Sequence, residues 1–162
     1  MMSIINGERY HVSDEEIVKV YDSKQEKSFL KPSGFWYCYA NDKEEHEMYP
    51  FSRSSGFIYK VNLKPDFTTI SEPLSPNKIL KLDNTADIGI FTEKYLVERD
   101  TWSSLIDWNR VKSDYGGVDF SNYNKRLQTI KFNFVWYGSV DFSSGCIWES
   151  SLVERIELIR KI

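Results

Sequence analysis

The stretch Gly56-Phe57-Ile58-Tyr59-Lys60-Val61-Asn62-Leu63 decides how the chain is read, because Phe57, Tyr59, Val61 and Leu63 recur at every second position among smaller or polar residues. A period of two puts successive side chains on opposite faces of an extended chain, so the segment predicts a strand with one buried face. Downstream, Phe67 to Ile70 and Lys78 to Leu82 read as further strands. Between them Glu72-Pro73-Leu74-Ser75-Pro76 predicts a loop, since proline has no N–H to give to a ladder. From Thr85 the residues Ile88, Phe91, Tyr95 and Leu96 have helical spacing, and Leu105, Trp108 and Val111 predict a second helix over 104–115, closed by Gly116-Gly117. Strand signals return at Val118 to Ser121, Ile130 to Tyr137, Gly145 to Trp148 and Leu152 to Leu158. Upstream, the turn Lys31-Pro32-Ser33-Gly34 leads into the aromatic strand Phe35-Trp36-Tyr37-Cys38-Tyr39, and Asn41 to Met48 suits a short exposed helix. Arg9 to Ser13 reads as a strand, followed by a helix to about Tyr21 that Ser13 caps and Asp14-Glu15-Glu16 favour electrostatically. Strands with helices confined to three intervals predict one α+β domain over 1–162 rather than an alternating βαβ fold.

The composition narrows the function. The chain has 162 residues, of which 41% are hydrophobic and 28% charged, with a mean hydropathy of −0.48, so neither disorder nor a membrane span is expected. Lys plus Arg number 21 against 24 Asp plus Glu, giving a net charge of −3 and a pI near 5.5. An extended basic surface for nucleic acid or anionic lipid is therefore not indicated. Cys38, Cys146, His11 and His46 have no zinc-site or disulfide spacing, and no metal is expected. Met1 to Glu16 lacks the apolar run of a signal peptide, which predicts a cytoplasmic protein. Aromatic residues are abundant at 15%, enough to supply stacking platforms for a planar ligand. The glycines form no phosphate-cradling pattern and no Gly-x-Ser-x-Gly elbow, so the common nucleotide-binding loops and the serine hydrolase elbow are excluded.

Three short motifs occur in order: Tyr10-His11-Val12-Ser13, then Lys31-Pro32-Ser33-Gly34-Phe35-Trp36-Tyr37-Cys38, and late in the chain Ser143-Ser144-Gly145-Cys146-Ile147-Trp148. Together with Asp114-Tyr115-Gly116-Gly117-Val118 they resemble the ADP-ribosyltransferase superfamily. The resemblance implies a split β-sandwich with a few short flanking helices, NAD as co-substrate, and transfer of ADP-ribose to an unknown protein or nucleic-acid acceptor. It also implies a role as a toxin or a phage or virus effector. In the branch with a His-Tyr-Glu triad, His11 matches the first-strand histidine that bonds the adenosine ribose. Backbone groups of Val12, beside Ser13, match the pair that takes the nicotinamide amide. Trp36 falls on the second-strand tyrosine, Tyr37 on the aromatic after it, and Tyr49 where the family places a ring under the nicotinamide. His11 and Trp36 are thus expected to line one cleft.

The third motif departs from the family. Ser144 stands where the catalytic glutamate belongs, and a serine can bond the ribose 2′-hydroxyl but cannot assist a nucleophile as a carboxylate does. Asp141 is the favoured replacement, with Glu149 as the other nearby acid. Loss of the glutamate supports an alternative, a catalytically inactive nucleotide- or protein-binding module of the same fold. A third reading makes the chain a single-strand nucleic-acid binder that stacks bases on Trp36, Tyr37, Trp136 and Tyr137. Each residue also has a plain structural role open to it: His11 as a half-buried strand histidine, Trp36 and Tyr37 as core aromatics, and Asp141 as a turn aspartate. The same holds for Ser144 as a small residue before a strand and Tyr49 as a loop aromatic.

Overall fold

The computed structural model describes residues 4–5, 7–25, 30–40, 54–97, 105–124, 126–127, 135–140 and 142–162. Its class is α+β. Eight strands, β1 (Arg9–Ser13), β2 (Phe35–Tyr39), β3 (Phe57–Leu63), β4 (Phe67–Thr68), β5 (Ser75–Lys81), β6 (Tyr115–Phe120), β7 (Ser144–Ile147) and β8 (Val153–Lys161), join in the order β4-β5-β6-β7-β2-β1-β3-β8. The β4–β5 and β5–β6 pairs are parallel and the others antiparallel. Helices α1 (Thr85–Tyr95), α2 (Trp108–Asp114) and the single turn α3 (Val135–Gly138) pack on one face, and Ser150–Leu152 forms a 3-10 turn. Among the described residues no helix is long and apolar enough to cross a membrane.

Alternation along the strands sorts the core. On the helix side, Leu80, Leu82, Val118, Phe120 and Cys146 meet Ile88, Phe91 and Tyr95 of α1, Trp108 and Val111 of α2 and Trp136 of α3. On the opposite side Tyr37, Val61, Leu63, Ile79 and Ile147 pack with Leu152 of the 3-10 turn. Both faces of the sheet centre are therefore covered, which is why β6 is buried at every position despite its two glycines. Such burial removes large apolar area from water, the main favourable term in folding.

Several expectations need correction. Residues 14–25 contain no helix: Ser13 Oγ accepts from Glu15 N–H at 3.2 Å in a local turn, and the chain then runs without regular secondary structure. Tertiary anchors outweigh the weak helical preference there. Ile17 N–H donates to the Tyr59 hydroxyl at 2.6 Å, Ser23 N–H to Trp148 C=O at 3.1 Å, and Ser150 N–H to Asp22 Oδ1 at 2.7 Å. Pro76 lies within β5, at the register irregularity between Ser75 and Ile79, where a missing N–H costs no regular ladder bond. The second helix is shorter than expected because Asp107 caps it, accepting from Arg110 N–H, and Gly116-Gly117 belong to β6 rather than to a helix end. Val135–Gly138 is helical, not extended, and Trp136 and Tyr137 are fully buried, so neither can stack a base. The helix expected over 41–48 and the segment 130–134 lie outside the described residues.

Candidate functional site

The three motif strands, distant in sequence, are neighbours in the sheet as β7-β2-β1. Between β1 and β2 the paired register runs through Arg9↔Tyr39 and Tyr10↔Cys38 and ends there, whereas β1 stays paired with β3 to Ser13↔Phe57. The ladder thus opens from His11 onward. Ala40 N–H donates to Glu8 C=O while Glu8 N–H turns back to Ile5 C=O, so the Glu8 carbonyl faces β2, and by the two-residue period the backbone groups of Tyr10 and Val12 lie on that side. Val12 accordingly turns its N–H and C=O toward the stretch of β2 where the paired register has ended.

His11 is the first residue of β1 past the last β1–β2 pair. Its Nδ1 bonds the backbone C=O of Trp36, and since a carbonyl can only accept, Nδ1 carries the proton. Nε2 is then the acceptor of the neutral ring. Burial lowers the His11 pKa below its ordinary value, and the bond to the Trp36 carbonyl only partly offsets this, so the ring is neutral at pH 7. The ring stacks on Phe35 with centroids 4.3 Å apart. A neutral histidine with a fixed tautomer suits a hydrogen bond from a ligand hydroxyl to Nε2.

Trp36 does not share this face. The register Arg9↔Tyr39 places His11 opposite Tyr37, so alternation sends Trp36 to the other side with Val12. There its indole N–H donates to Pro32 C=O at 3.2 Å and its ring packs against the helix-side core. Ser144 also lies on that side: it pairs with Cys38, is 1% exposed, and its hydroxyl donates to Phe142 C=O at 2.9 Å. The expectation that His11 and Trp36 line one cleft is thus corrected by one position of strand parity, and Ser144 lies on the Trp36 side. Tyr37 is on the His11 face but buried, and Ser13 ends β1 half-buried. Tyr49 and Asp141 lie outside the described residues. Glu149 is engaged by the Ser151 hydroxyl at 2.9 Å.

A second polar group on the His11 face escaped the sequence reading. Asp119 is wholly buried on β6, and its Oδ2 accepts from both the Tyr37 and Tyr39 hydroxyls at 2.5 Å, while Oδ1 accepts from Ser121 N–H at 3.0 Å. Tyr37↔Gly145↔Asp119 form one row across β2, β7 and β6, so Tyr37 must lie over position 145 to reach its partner. A Cβ there would run into the Tyr37 ring, which explains the glycine. Burial, then the nearby Asp119 charge, pushes the Tyr37 pKa far up, and the same causes raise that of Tyr39. Both stay protonated as donors. Arg9 completes the group, its Nε donating to the Tyr39 hydroxyl at 3.0 Å. The one readable signal was a lone acid in the otherwise uncharged run Tyr115-Gly116-Gly117-Val118-Asp119-Phe120.

A cavity of about 200 Å³ opens elsewhere, at the start of α1, lined by Asp83, Asn84, Asn122 and Asn124 among others. None of the expected site residues lines it. Among the described residues no three His, Cys, Asp or Glu side chains gather as a metal site. No family model, no curated protein and no solved structure matches the chain.

Proposed function

We propose that the chain is an NAD-dependent ADP-ribosyltransferase-like protein with the family's split β fold, transferring ADP-ribose to a protein or nucleic-acid acceptor. The observation that supports the reading is the end of the β1–β2 pairing before His11, which leaves the backbone N–H and C=O of Val12 on the β2 side beyond the last paired residues. A nicotinamide carboxamide needs one donor and one acceptor in that geometry. The neutral His11 ring, its Nε2 free of the Trp36 carbonyl, accepts from a ribose hydroxyl, and Phe35 holds the ring in place. Binding at both ends of the dinucleotide is spent on stretching the glycosidic bond toward an oxocarbenium-like state. Because Ser144 faces away, the carboxylate that assists the nucleophile is assigned to Asp141.

A second reading, the inactive binding module, draws on the same Ser144 observation, since the position matched to the family's glutamate holds a buried serine that donates to the Phe142 carbonyl. One experiment separates the two. NAD is expected to raise the melting temperature, by a free energy of RT ln(1 + [L]/Kd) or about 2.7 kcal/mol at a hundredfold excess, and His11→Ala to remove most of that gain. Nicotinamide release into water is then followed, and Asp141→Asn is expected to retain binding and lower turnover by about 10² to 10⁴. Binding without release selects the module, and absence of any thermal shift sinks the transferase and the nucleotide-binding form of the module.

A further inference from the structure

We propose that the outer edge of β8 is an interface at which two copies of the chain pair antiparallel about a two-fold axis at Ile156. β8 ends the sheet order, and among the described residues no strand pairs with its far side. It runs for nine residues, whereas β4 at the opposite end of the sheet has two, so β8 offers much the longer open edge. Hydrogen bonding fixes which of its groups face outward. Ile162 N–H donates to Gly56 C=O, and from there the residues of β3 alternate: Ile58, Lys60 and Asn62 aim at β8, while Tyr59 and Val61 aim at β1. Leu158, opposite Tyr59, and Ile156, opposite Val61, therefore turn their N–H and C=O away from the sheet. Unpaired backbone groups in a row are a template for another strand.

The charges select the partner and the register. Irregularities interrupt the β3–β8 ladder between Ile58 and Tyr59 and between Asn62 and Leu63, so Arg155-Ile156-Glu157-Leu158 is the regular part of the edge. Charged side chains on an edge ordinarily keep other strands off. Within one chain neither charge of this run is met across the ladder: Arg155 stands opposite the neutral Asn62, and Lys60, opposite Glu157, pairs with Glu8 at 3.8 Å. A two-fold axis normal to the sheet sets each residue opposite one of the same parity, on the same face. Centring the axis on Arg155 or Glu157 puts that charge against its own copy, and centring it on Leu158 puts Arg155 against Lys161. Centring it on Ile156 puts Arg155 opposite Glu157 of the second copy, twice by symmetry, and opposite charges so placed attract. The outward N–H and C=O of Ile156 then bond those of Ile156 in the second copy. Its side chain packs against the Val61 and Leu63 core, so the apolar layer continues from one copy into the next.

The test is sedimentation equilibrium of the full chain from about 5 to 500 µM, because a short edge belongs at the weak end of specific interfaces. A monomer–dimer equilibrium is expected. Arg155→Glu and Glu157→Arg each set like charges opposite one another twice and should weaken it about 10- to 30-fold. The double exchange Arg155→Glu/Glu157→Arg should return it to within about threefold of the parent. Leu158→Pro removes an N–H that β3 does not use, so the monomer keeps its ladder while the dimer weakens about 10-fold. This variant, its fold checked by circular dichroism, provides the reading if a charge reversal does not fold. A chain that stays monomeric throughout the range overturns the proposal. So does a dimer that the single variants leave unchanged, or one that a folded double exchange fails to restore.

Discussion

Tyr37 reaches Asp119 only because position 145 carries no side chain. The consequence is testable at single residues. Gly145→Ala places a methyl group against a ring that strands on both sides hold still, and overpacking of this kind costs about 1–3 kcal/mol or more. Tyr37→Phe keeps the ring but takes one donor from a buried carboxylate, with an expected loss of about 1–3 kcal/mol. Urea denaturation of the two variants measures both, and a Gly145→Ala protein as stable as the parent would show that Tyr37 does not cross β7. The same positions bear on Arg9, because Asp119 holds Tyr39 and Tyr39 holds Arg9. Losing the carboxylate therefore loosens a cation two bonds away.

At the scale of elements, α1 has the clearest local logic. Asn84 Oδ1 accepts from Asp87 N–H at 2.9 Å, Asp87 adds a negative charge to the first turn, and Leu96 N–H closes the last turn on Thr92 C=O. Thr92 then joins the helix to the core: its hydroxyl donates to Ile88 C=O at 2.7 Å and accepts the Trp136 indole N–H at 3.0 Å. Asn84→Ala is expected to cost about 0.5–2 kcal/mol in thermal or urea unfolding, as for other N-caps, with no change in NAD binding. A change in ligand affinity would tie the distant α1 cavity to the site on β1. The 14–25 segment follows the opposite rule. Its Val18 is 95% exposed and it has no regular hydrogen bonding, so its course is set by the anchors at Ile17, Asp22 and Ser23.

For the whole molecule, the two thiols report how the sheet opens. Cys146 is wholly buried in the helix-side core, and Cys38 sits at the last closed pair of the β1–β2 ladder. Burial pushes Cys38 up to about 12 and Cys146 well above its ordinary value, so neither forms the reactive thiolate in the native state. Native protein is expected to resist iodoacetamide at pH 8. In denaturant below the unfolding midpoint, Cys38 should be alkylated before Cys146, because strands part most readily where a ladder already ends. Mass spectrometry of the two cysteine peptides checks this, and equal labelling rates would mean that the opening at His11 does not lead the unfolding.

The elements whose signals are local were legible in the sequence. β3 follows from side-chain alternation, β2 from a turn leading into an aromatic run, and α1 from helical spacing. Hydrophobic period and proline or cap chemistry act within a few residues, so no distant partner is needed to read them. Register is different. Whether His11 stands opposite Trp36 or Tyr37 is a shift of one residue, invisible in either strand alone, yet it turns every side chain to the other face. That shift moved Trp36 and Ser144 away from His11 and brought Tyr37, Tyr39 and Asp119 onto its face. The helix misread over 14–21 and the strand misread at 135–137 have the same origin, because anchors and core contacts from far along the chain outweigh weak local preference. Local chemistry in the sequence determined which strands exist. Only the tertiary structure, through the long-range pairing β7-β2-β1 and its end before His11, decided which side chains share a face and where the β1–β2 pairing stops.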